Sequence, residues 1–381
     1  MRDLNIAFLS ADNPRDKRSW SGTHYFLLKS IEDMGHVETY FGYTPQPLKF
    51  FCSAFNFLTL RFFKKRFDYR HSRIMRNALG KVYSKCLKQN NYDLVIVVGS
   101  TSIAAGIETD VPVIYINDRT LEGAMNYHKV LTQLFDFSYK QSIETDRLAI
   151  EKSKISVFSS DWAANAAKSN HPEIASKIVM LPFGANLDTL PGPPAEKHFP
   201  KFPLQLFFAG VNWEDKGGPV ALDTLQELIA NGIDAELIVC GCIPPVQHPK
   251  MKVLGFLNKN KPEEFAKLTA LFRISDFFIL PTKYEAYGLV FCESAAYGLP
   301  ALAPATGGIT TIIADGETGF LLPVDATGKE YAGKIISLVN DPEKYHAMRN
   351  AAYARFKNKL NWESWAIEFK KILEGSGIGL K

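Results

Sequence analysis

The 381-residue sequence is informative first through what it has little of. Cysteine is scarce and odd in number: Cys52, Cys86, Cys240, Cys242 and Cys292. They form no disulfide framework, and Cys240-Gly-Cys242 is too tight for a zinc knuckle. Reduced thiols, as in cytosol, are the expectation. No uncharged apolar run approaches the roughly 18 to 20 residues that a membrane span needs. The opening MRDLNIAFLS has no long apolar segment, so no signal peptide is expected. The G-x-G-x-x-G fingerprint follows neither of the two strands that open the halves of the chain, which disfavours a nicotinamide enzyme, and no Walker A sequence occurs. There is no Asp-x-Asp pair to hold a divalent ion. A net charge of +4 is too small to argue for nucleic acid, and none is expected as a partner.

What is present is a regular alternation. Short apolar runs, most of them continuous Val/Ile/Leu/Phe, predict strands at Leu4–Ser10, Val37–Phe41, Asp93–Val98, Val113–Ile116, Ile155–Ser159 and Ile178–Leu181. A second set follows at Leu204–Gly210, Ala235–Cys240, Val253–Phe256, Asp276–Leu280, Ala301–Ala303 and Phe320–Leu322. Runs without polar alternation suit parallel strands covered on both faces. Helical patterns lie between them, including Thr23–Met34, Pro219–Ala230, Glu263–Ile274 and Lys329–Val339. This is an α/β pattern of two doubly wound, Rossmann-like domains. It restarts after the proline-rich stretch PGPPAEKHFPKFP, so the expected division is 1–187, a linker at 188–203, and 204–355. A tail helix at about 356–376, with Trp362 and Trp365, ends the chain. In such folds the ligand sits beyond the carboxyl ends of the strands.

Four loops carry candidate chemistry. In DFFILPTKYEAYGLVFCESAAYGLP a strand is followed by a loop with Glu285, and Gly288 then opens a helix containing Glu293. Unpaired N–H groups and the positive dipole end at a helix start can take a diphosphate. Glu285 could reach sugar hydroxyls and Glu293 a ribose, so the two carboxylates would grip the two ends of a nucleotide sugar. The plain alternative is a surface glutamate and a chance glycine, against which a charge inside so apolar a helix is costly unless paired. In AGVNWEDKGG, Lys216 stands before two glycines at a helix entrance, where a cation can stabilise a departing phosphate; a solvated loop lysine is the alternative. Ser21-Gly22-Thr23 is expected to cap a helix and offer an anion nest. Gly307-Gly308 and DGETG form a further strand-to-helix loop.

Together and in this order, these elements resemble the retaining glycosyltransferases of glycosyltransferase family 4, which have the GT-B fold: two Rossmann-like domains facing a cleft, with a C-terminal helix crossing back to the N-terminal domain. The signature is glutamate, seven residues, glutamate, here Glu285 to Glu293, with GVNWEDKGG, GLPALAPATGGI and DGETGFLLP around it. WSGTHYFL, VIYINDRT, VFSSDWAANAA and LNWESWAIEF extend the likeness over nearly the whole chain. The resemblance implies a donor-binding C-terminal domain and an acceptor-binding N-terminal one. Lys216 would hold the diphosphate and Glu285 the sugar. Ala286, Tyr287, Gly288 and Leu289 would offer backbone amides, Glu293 would hold the ribose, and Gly22 would line the phosphates. It also implies transfer with retention, the leaving phosphate taking the acceptor proton, and no required metal or cofactor beyond a UDP- or GDP-linked sugar as co-substrate. Two positions depart from the family's pattern. Val211 stands where many members have an arginine, with Arg273 a candidate replacement. Asp118, in INDRT, stands where many have a sugar-facing histidine, with His24 and His128 as alternatives that read more simply as surface or loop residues.

Residues 49–88 are basic and rich in phenylalanine, with Asp68 the one acid. Two expectations compete here: a surface for an anionic membrane that presents a lipid-linked acceptor, or core phenylalanines beneath a solvated charged face. The expectation is a hexosyltransferase acting on a glycan or lipid-linked acceptor in cell-surface polysaccharide or lipopolysaccharide synthesis, cytoplasmic or peripheral on the inner face of the cytoplasmic membrane. The competing readings are a nucleotide-sugar-binding protein without transfer, or an epimerase or phosphorylase on the same fold.

Overall fold

The structure, a computed structural model, describes residues 4–125, 127 and 131–378. The chain forms two compact units: Met1–Pro182 with Trp365–Lys381, and Phe183–Ser364.

The first unit holds a six-stranded parallel sheet of β1 (Leu4–Ser10), β2 (Gly35–Phe41), β3 (Leu94–Val98), β4 (Val113–Asn117), β5 (Ile155–Phe158) and β6 (Ile178–Met180), in the order β2-β1-β3-β4-β5-β6. The second holds β7 (Leu204–Ala209), β8 (Ala235–Cys240), β9 (Met251–Gly255), β10 (Phe277–Ile279), β11 (Ala301–Pro304) and β12 (Gly319–Leu322), in the order β12-β11-β10-β7-β8-β9. Each strand lies where an apolar run predicts it. The central strands β3 and β4 are buried along their whole length, as double coverage by helices requires. Both orders reverse direction beside the first strand of the unit, which places a switch point between β1 and β3 and another between β7 and β10. There the loops diverge to opposite faces and leave room for a ligand.

Residues 188–203, read as a linker, fall within the second unit and are anchored to it. Phe199 is buried and stacks on Tyr345, Lys197 ion-pairs with Asp276 at 2.6 Å, and the Arg349 guanidinium donates to the Ala195 carbonyl. The tail is two helices, Pro342–Lys359 and Trp362–Gly375. The break at Leu360–Asn361 is stabilised by Asn361, whose side-chain oxygen accepts from the Ser364 N–H. Among the described residues, no helix is long and apolar enough to cross a membrane.

One loop contact positions the second switch point. Gly217 follows β7 with φ of +76°, and a Cβ there would lie 1.9 Å from the Pro281 carbonyl oxygen after β10. Only glycine lets the two backbones approach this closely. Gly232 has nearly the same φ, +78°, but open space around it. Gly232→Ala is therefore expected to cost about 1 kcal/mol, from backbone strain alone, and Gly217→Ala about 3 kcal/mol, with overpacking added. Thermal melts followed by circular dichroism compare the two; equal shifts would mean that the contact imposes no constraint.

Candidate functional site

The carboxyl ends of β7, β10 and β11 carry three loops joined by hydrogen bonds. The Lys283 N–H and the Thr282 hydroxyl donate to the Asp215 carbonyl at 3.2 and 3.3 Å. The Gly308 N–H donates to the Ala286 carbonyl at 3.1 Å. Beneath the first loop the Trp213 indole is buried against Phe208, and the Trp213 carbonyl accepts from the Gly218 N–H at 2.7 Å. This framework brings Lys216 and Glu285, 69 residues apart, into an ion pair of 2.5 Å. Both side chains keep access to solvent.

Gly288, with φ of +101°, is the N-cap of the helix Leu289–Ala296. A Cβ there would meet the Phe291 ring at 2.7 Å and Glu285 Cγ at 3.2 Å, so the helix start and Glu285 stand side by side. The N–H groups of Leu289 and Val290, the first two of the helix, have no acceptor within it, whereas that of Phe291 donates to the Gly288 carbonyl at 2.9 Å. The Tyr287 side chain turns away: it is buried, and its hydroxyl donates to the Phe183 carbonyl at 2.7 Å. Only the backbone of Tyr287 is left to serve a ligand.

Glu293 lies inside this helix and is 2% exposed. Its partner is Lys259, from the loop after β9, at 2.5 Å from Oε1. Burial pushes the Glu293 carboxyl above its ordinary range, and Lys259 works against that shift. A carboxylate has lone pairs for more than one donor, so this pairing leaves acceptor capacity on Oε2. Lys259 was not singled out in the sequence. Its only signal is a requirement: a charge buried in an apolar helix needs a counter-ion.

The other candidate residues lie elsewhere. Val211 is 70% exposed in the loop after β7. Arg273 does not replace an arginine there. It ends the helix Pro262–Ile274, four residues before β10, and sits over the Tyr297 ring at the strand's amino end, opposite to Glu285. Asp118 and Gly22 come together in the first unit. Trp20, Ser21 and Gly22 have φ of 48°, 58° and 96°, an unusual left-handed run that starts the helix Thr23–Glu32. The N-cap of this helix is Gly22, which has no side chain to cap it, and the Thr23 hydroxyl donates to the Trp20 carbonyl at 2.8 Å. The Trp20 indole N–H donates to Asp118 Oδ2 at 3.0 Å. His24 is not a surface histidine: it is buried beside Trp20, with Nε2 3.4 Å from the Val98 carbonyl. Burial pushes its pKa down to about 4, so the ring is neutral at physiological pH. His128 lies outside the described residues. No group of three or more His, Cys, Asp or Glu side chains able to hold a metal forms among the described residues, and the five cysteines are free.

Comparison with known proteins agrees with this architecture. Residues 194–355 match the family described as glycosyl transferases group 1. A D-inositol 3-phosphate glycosyltransferase of Corynebacterium aurimucosum is 28% identical over 179 residues, 43% of this chain and 41% of that protein. The match thus spans less than half the length of this curated relative. Among solved structures, a sucrose-phosphate synthase from Thermosynechococcus elongatus has a TM-score of 0.68 at 16% identity, covering 98% of both chains. Anabaena HepE, in complex with UDP and glucose, has a TM-score of 0.63 at 14% identity, covering 97% of this chain and 99% of that one. These likenesses extend over both units and show the fold. The chain has the GT-B fold, is similar to glycosyltransferase family 4 as its glutamate motif implies, and carries in residues 194–355 the domain of the glycosyl transferases group 1.

Proposed function

We propose that the protein is a retaining glycosyltransferase that moves a hexose-type sugar from a UDP- or GDP-linked donor to a glycan or lipid-linked acceptor, in cell-surface polysaccharide or lipopolysaccharide synthesis. The observation that carries this reading is the Lys216–Glu285 pair at the β7/β10 switch point, beside the open start of the helix Leu289–Ala296. The complex of HepE with UDP and glucose supports a nucleotide-sugar donor.

Donor binding exchanges the ion pair for two new contacts: Lys216 turns to the diphosphate and Glu285 to sugar hydroxyls. The backbone amides from Ala286 to Leu289 take phosphate oxygens, and Glu293, steadied by Lys259, accepts ribose hydroxyls through Oε2. In the transfer, the bond between the anomeric carbon and the phosphate oxygen breaks. The acceptor oxygen bonds to that carbon on the same face, and its proton passes to the leaving phosphate. Charge grows on the diphosphate, and Lys216 and the helix start stabilise it without a metal or further cofactor. Asp118, held by Trp20, is assigned to the sugar or acceptor, and Gly22 to the phosphates. A lipid-linked acceptor, with the protein peripheral on the inner face of the cytoplasmic membrane, is favoured by the exposed aromatic residues near residue 50. Val211, in place of the family's arginine, is the one feature that favours binding without transfer; product analysis with donor and acceptor separates that reading, and an epimerase or phosphorylase, from transfer.

A thermal-shift series with UDP, GDP, ADP and their sugars is expected to raise the melting temperature with one nucleotide family. Glu293→Ala should abolish that rise. Lys216→Ala should lower kcat at least about 100-fold with a smaller effect on donor affinity. Ordinary kinetics in both variants would overturn the assignment. The raised carboxyl of Glu293 gives a separate prediction for the ligand-free protein. A folded-state pKa above the unfolded value means that stability falls as pH rises from the ordinary glutamate range through the folded pKa. Glu293→Gln removes that loss. Its melting temperature should equal or exceed the parent's near neutrality, and the gap should close on the acid side, while nucleotide no longer stabilises it. A variant less stable than the parent at neutral pH would make Glu293 a structural residue.

A further inference from the structure

The helix Gln46–Phe63 is mounted inside out. Its only buried residues are Cys52 and Thr59. On the same side Asn56 accepts a hydrogen bond from the Phe67 N–H at 2.8 Å. At about 100° per residue, the opposite face presents Phe57, Phe50, Leu58 and Phe51, with Phe62 at its edge and Arg61 within it at the carboxyl end of the helix. The exposures of these five apolar residues run from 50% to 72%, while Phe55 turns toward the Phe67 ring. The expectation that these phenylalanines form core is thereby overturned for the helix. A monomer in water gains nothing from such a face, and a patch of this kind marks an interaction surface. At the end of the helix, on its Cys52 side, Phe63 is also exposed and packs edge-on against Phe135, which stacks on the exposed Phe137.

The charges beside it have one sign. Lys49 and Arg61 lie on the helix, and Lys64 and Lys65 follow its end, all exposed. Asp68, the single acid between residues 49 and 88, is turned inward to His71 at 2.7 Å and to the Ser142 hydroxyl. Asp136, adjacent to Phe137 in sequence, is an exposed acid. This charge selects the occupant. A second copy of the chain would set each lysine cluster against its duplicate, whereas an anionic bilayer supplies both the apolar phase and the counter-charge. The helix cannot span a bilayer, because its other face is fixed to the first unit through Cys52, Asn56 and Thr59.

We propose that the helix Gln46–Phe63 lies in the plane of an anionic membrane, with Phe50, Phe51, Phe57 and Phe62 inserted among the acyl chains and Lys49, Arg61, Lys64 and Lys65 at the headgroups. This extends the lipid-linked acceptor reading, but vesicle binding is measured without donor or acceptor, so it stands or falls separately from sugar transfer. The test is flotation of the purified full chain with vesicles of phosphatidylcholine alone or enriched in phosphatidylglycerol, at low and high salt. The parent should float with the anionic vesicles, and high salt should weaken but not abolish binding. Replacing Phe50, Phe51, Phe57 and Phe62 by Ser should lower partitioning at least about tenfold and leave the melting temperature unchanged, since these side chains are exposed in the fold. Lys64→Glu with Lys65→Glu should remove the preference for anionic lipid. Ile243→Ser, at an apolar residue 82% exposed in the second unit, should change nothing. No flotation of the parent, or flotation indifferent to the four serines, would overturn the proposal. So would a parent dimer by light scattering that the serines convert to monomer without any vesicle binding, which would assign the face to self-association.

Discussion

The candidate site rests on the close approach of two backbones, the loop after β7 and the loop after β10, at Gly217 and Pro281. These strands are neighbours in the sheet although the chain runs through β8 and β9 between them. The contact therefore unites groups that are remote in sequence. Lys216 is one residue from the contact and Glu285 four, so their pairing follows from backbone positions more than from long, flexible side chains. That matters for a group meant to meet charge as it develops, because a preplaced cation needs little reorganisation when a leaving group departs. The Gly308 bond to Ala286 adds the loop after β11 to the same frame, and three strands share the task of fixing one ion pair and one helix start.

Two ion pairs stand around this helix, and they differ in kind. Lys216–Glu285 keeps both ends within reach of solvent, where an ion pair contributes little net stability and its partners are readily exchanged. Lys259–Glu293 has a carboxylate 2% exposed, and Lys259 only partly offsets its desolvation. The proposed nucleotide-sugar donor would match that difference: its diphosphate and sugar would compete for the exchangeable pair, while its ribose would need only an acceptor already held in place. The same reasoning explains why no lysine has to come from the helix itself: the cations arrive from the loops after β7 and β9.

Most strands were legible because they are continuous apolar runs covered on both faces, as β3 and β4 are, while the edge strands β2 and β9 carry polar residues and are largely unburied. Their ends fell within two residues of the expected positions, and the switch points then follow from the alternation and sheet order. The glutamate spacing and the glycine entrances were legible for a similar reason: each is contained in one loop and one helix turn. Partnerships were not. Nothing local links Lys259 to Glu293 across 34 positions, or Trp20 to Asp118 across 98. His24 read as a surface residue because an isolated histidine carries no burial signal, yet the left-handed turn at Trp20–Gly22 directs it inward. Arg273 failed as a substitute because helix direction places it at the wrong end of β10. In residues 49–88, composition could not say which side of a helix faces the protein, since phenylalanine occurs all round it.

Two features break the burial rule in opposite senses: a carboxylate set inside an apolar helix, and phenylalanines set in water. The carboxylate costs folding stability, the phenylalanines forgo the burial that they could have contributed, and neither feature is fully met among the described residues. Lys259 only partly offsets the desolvation of Glu293, and among the described residues nothing covers the outer face of the helix Gln46–Phe63. Sequences that otherwise agree with their fold at every level tend to concentrate such conflicts where function requires them. Here one conflict lies at the donor end of the proposed reaction, in the second unit, and the other in the first unit, to which the acceptor is assigned. Glutamine at Glu293 and polar residues at the phenylalanines would remove both conflicts. A chain that needed only to fold would have no use for either exception. A nucleotide-sugar site and a bilayer surface together give each of them a partner.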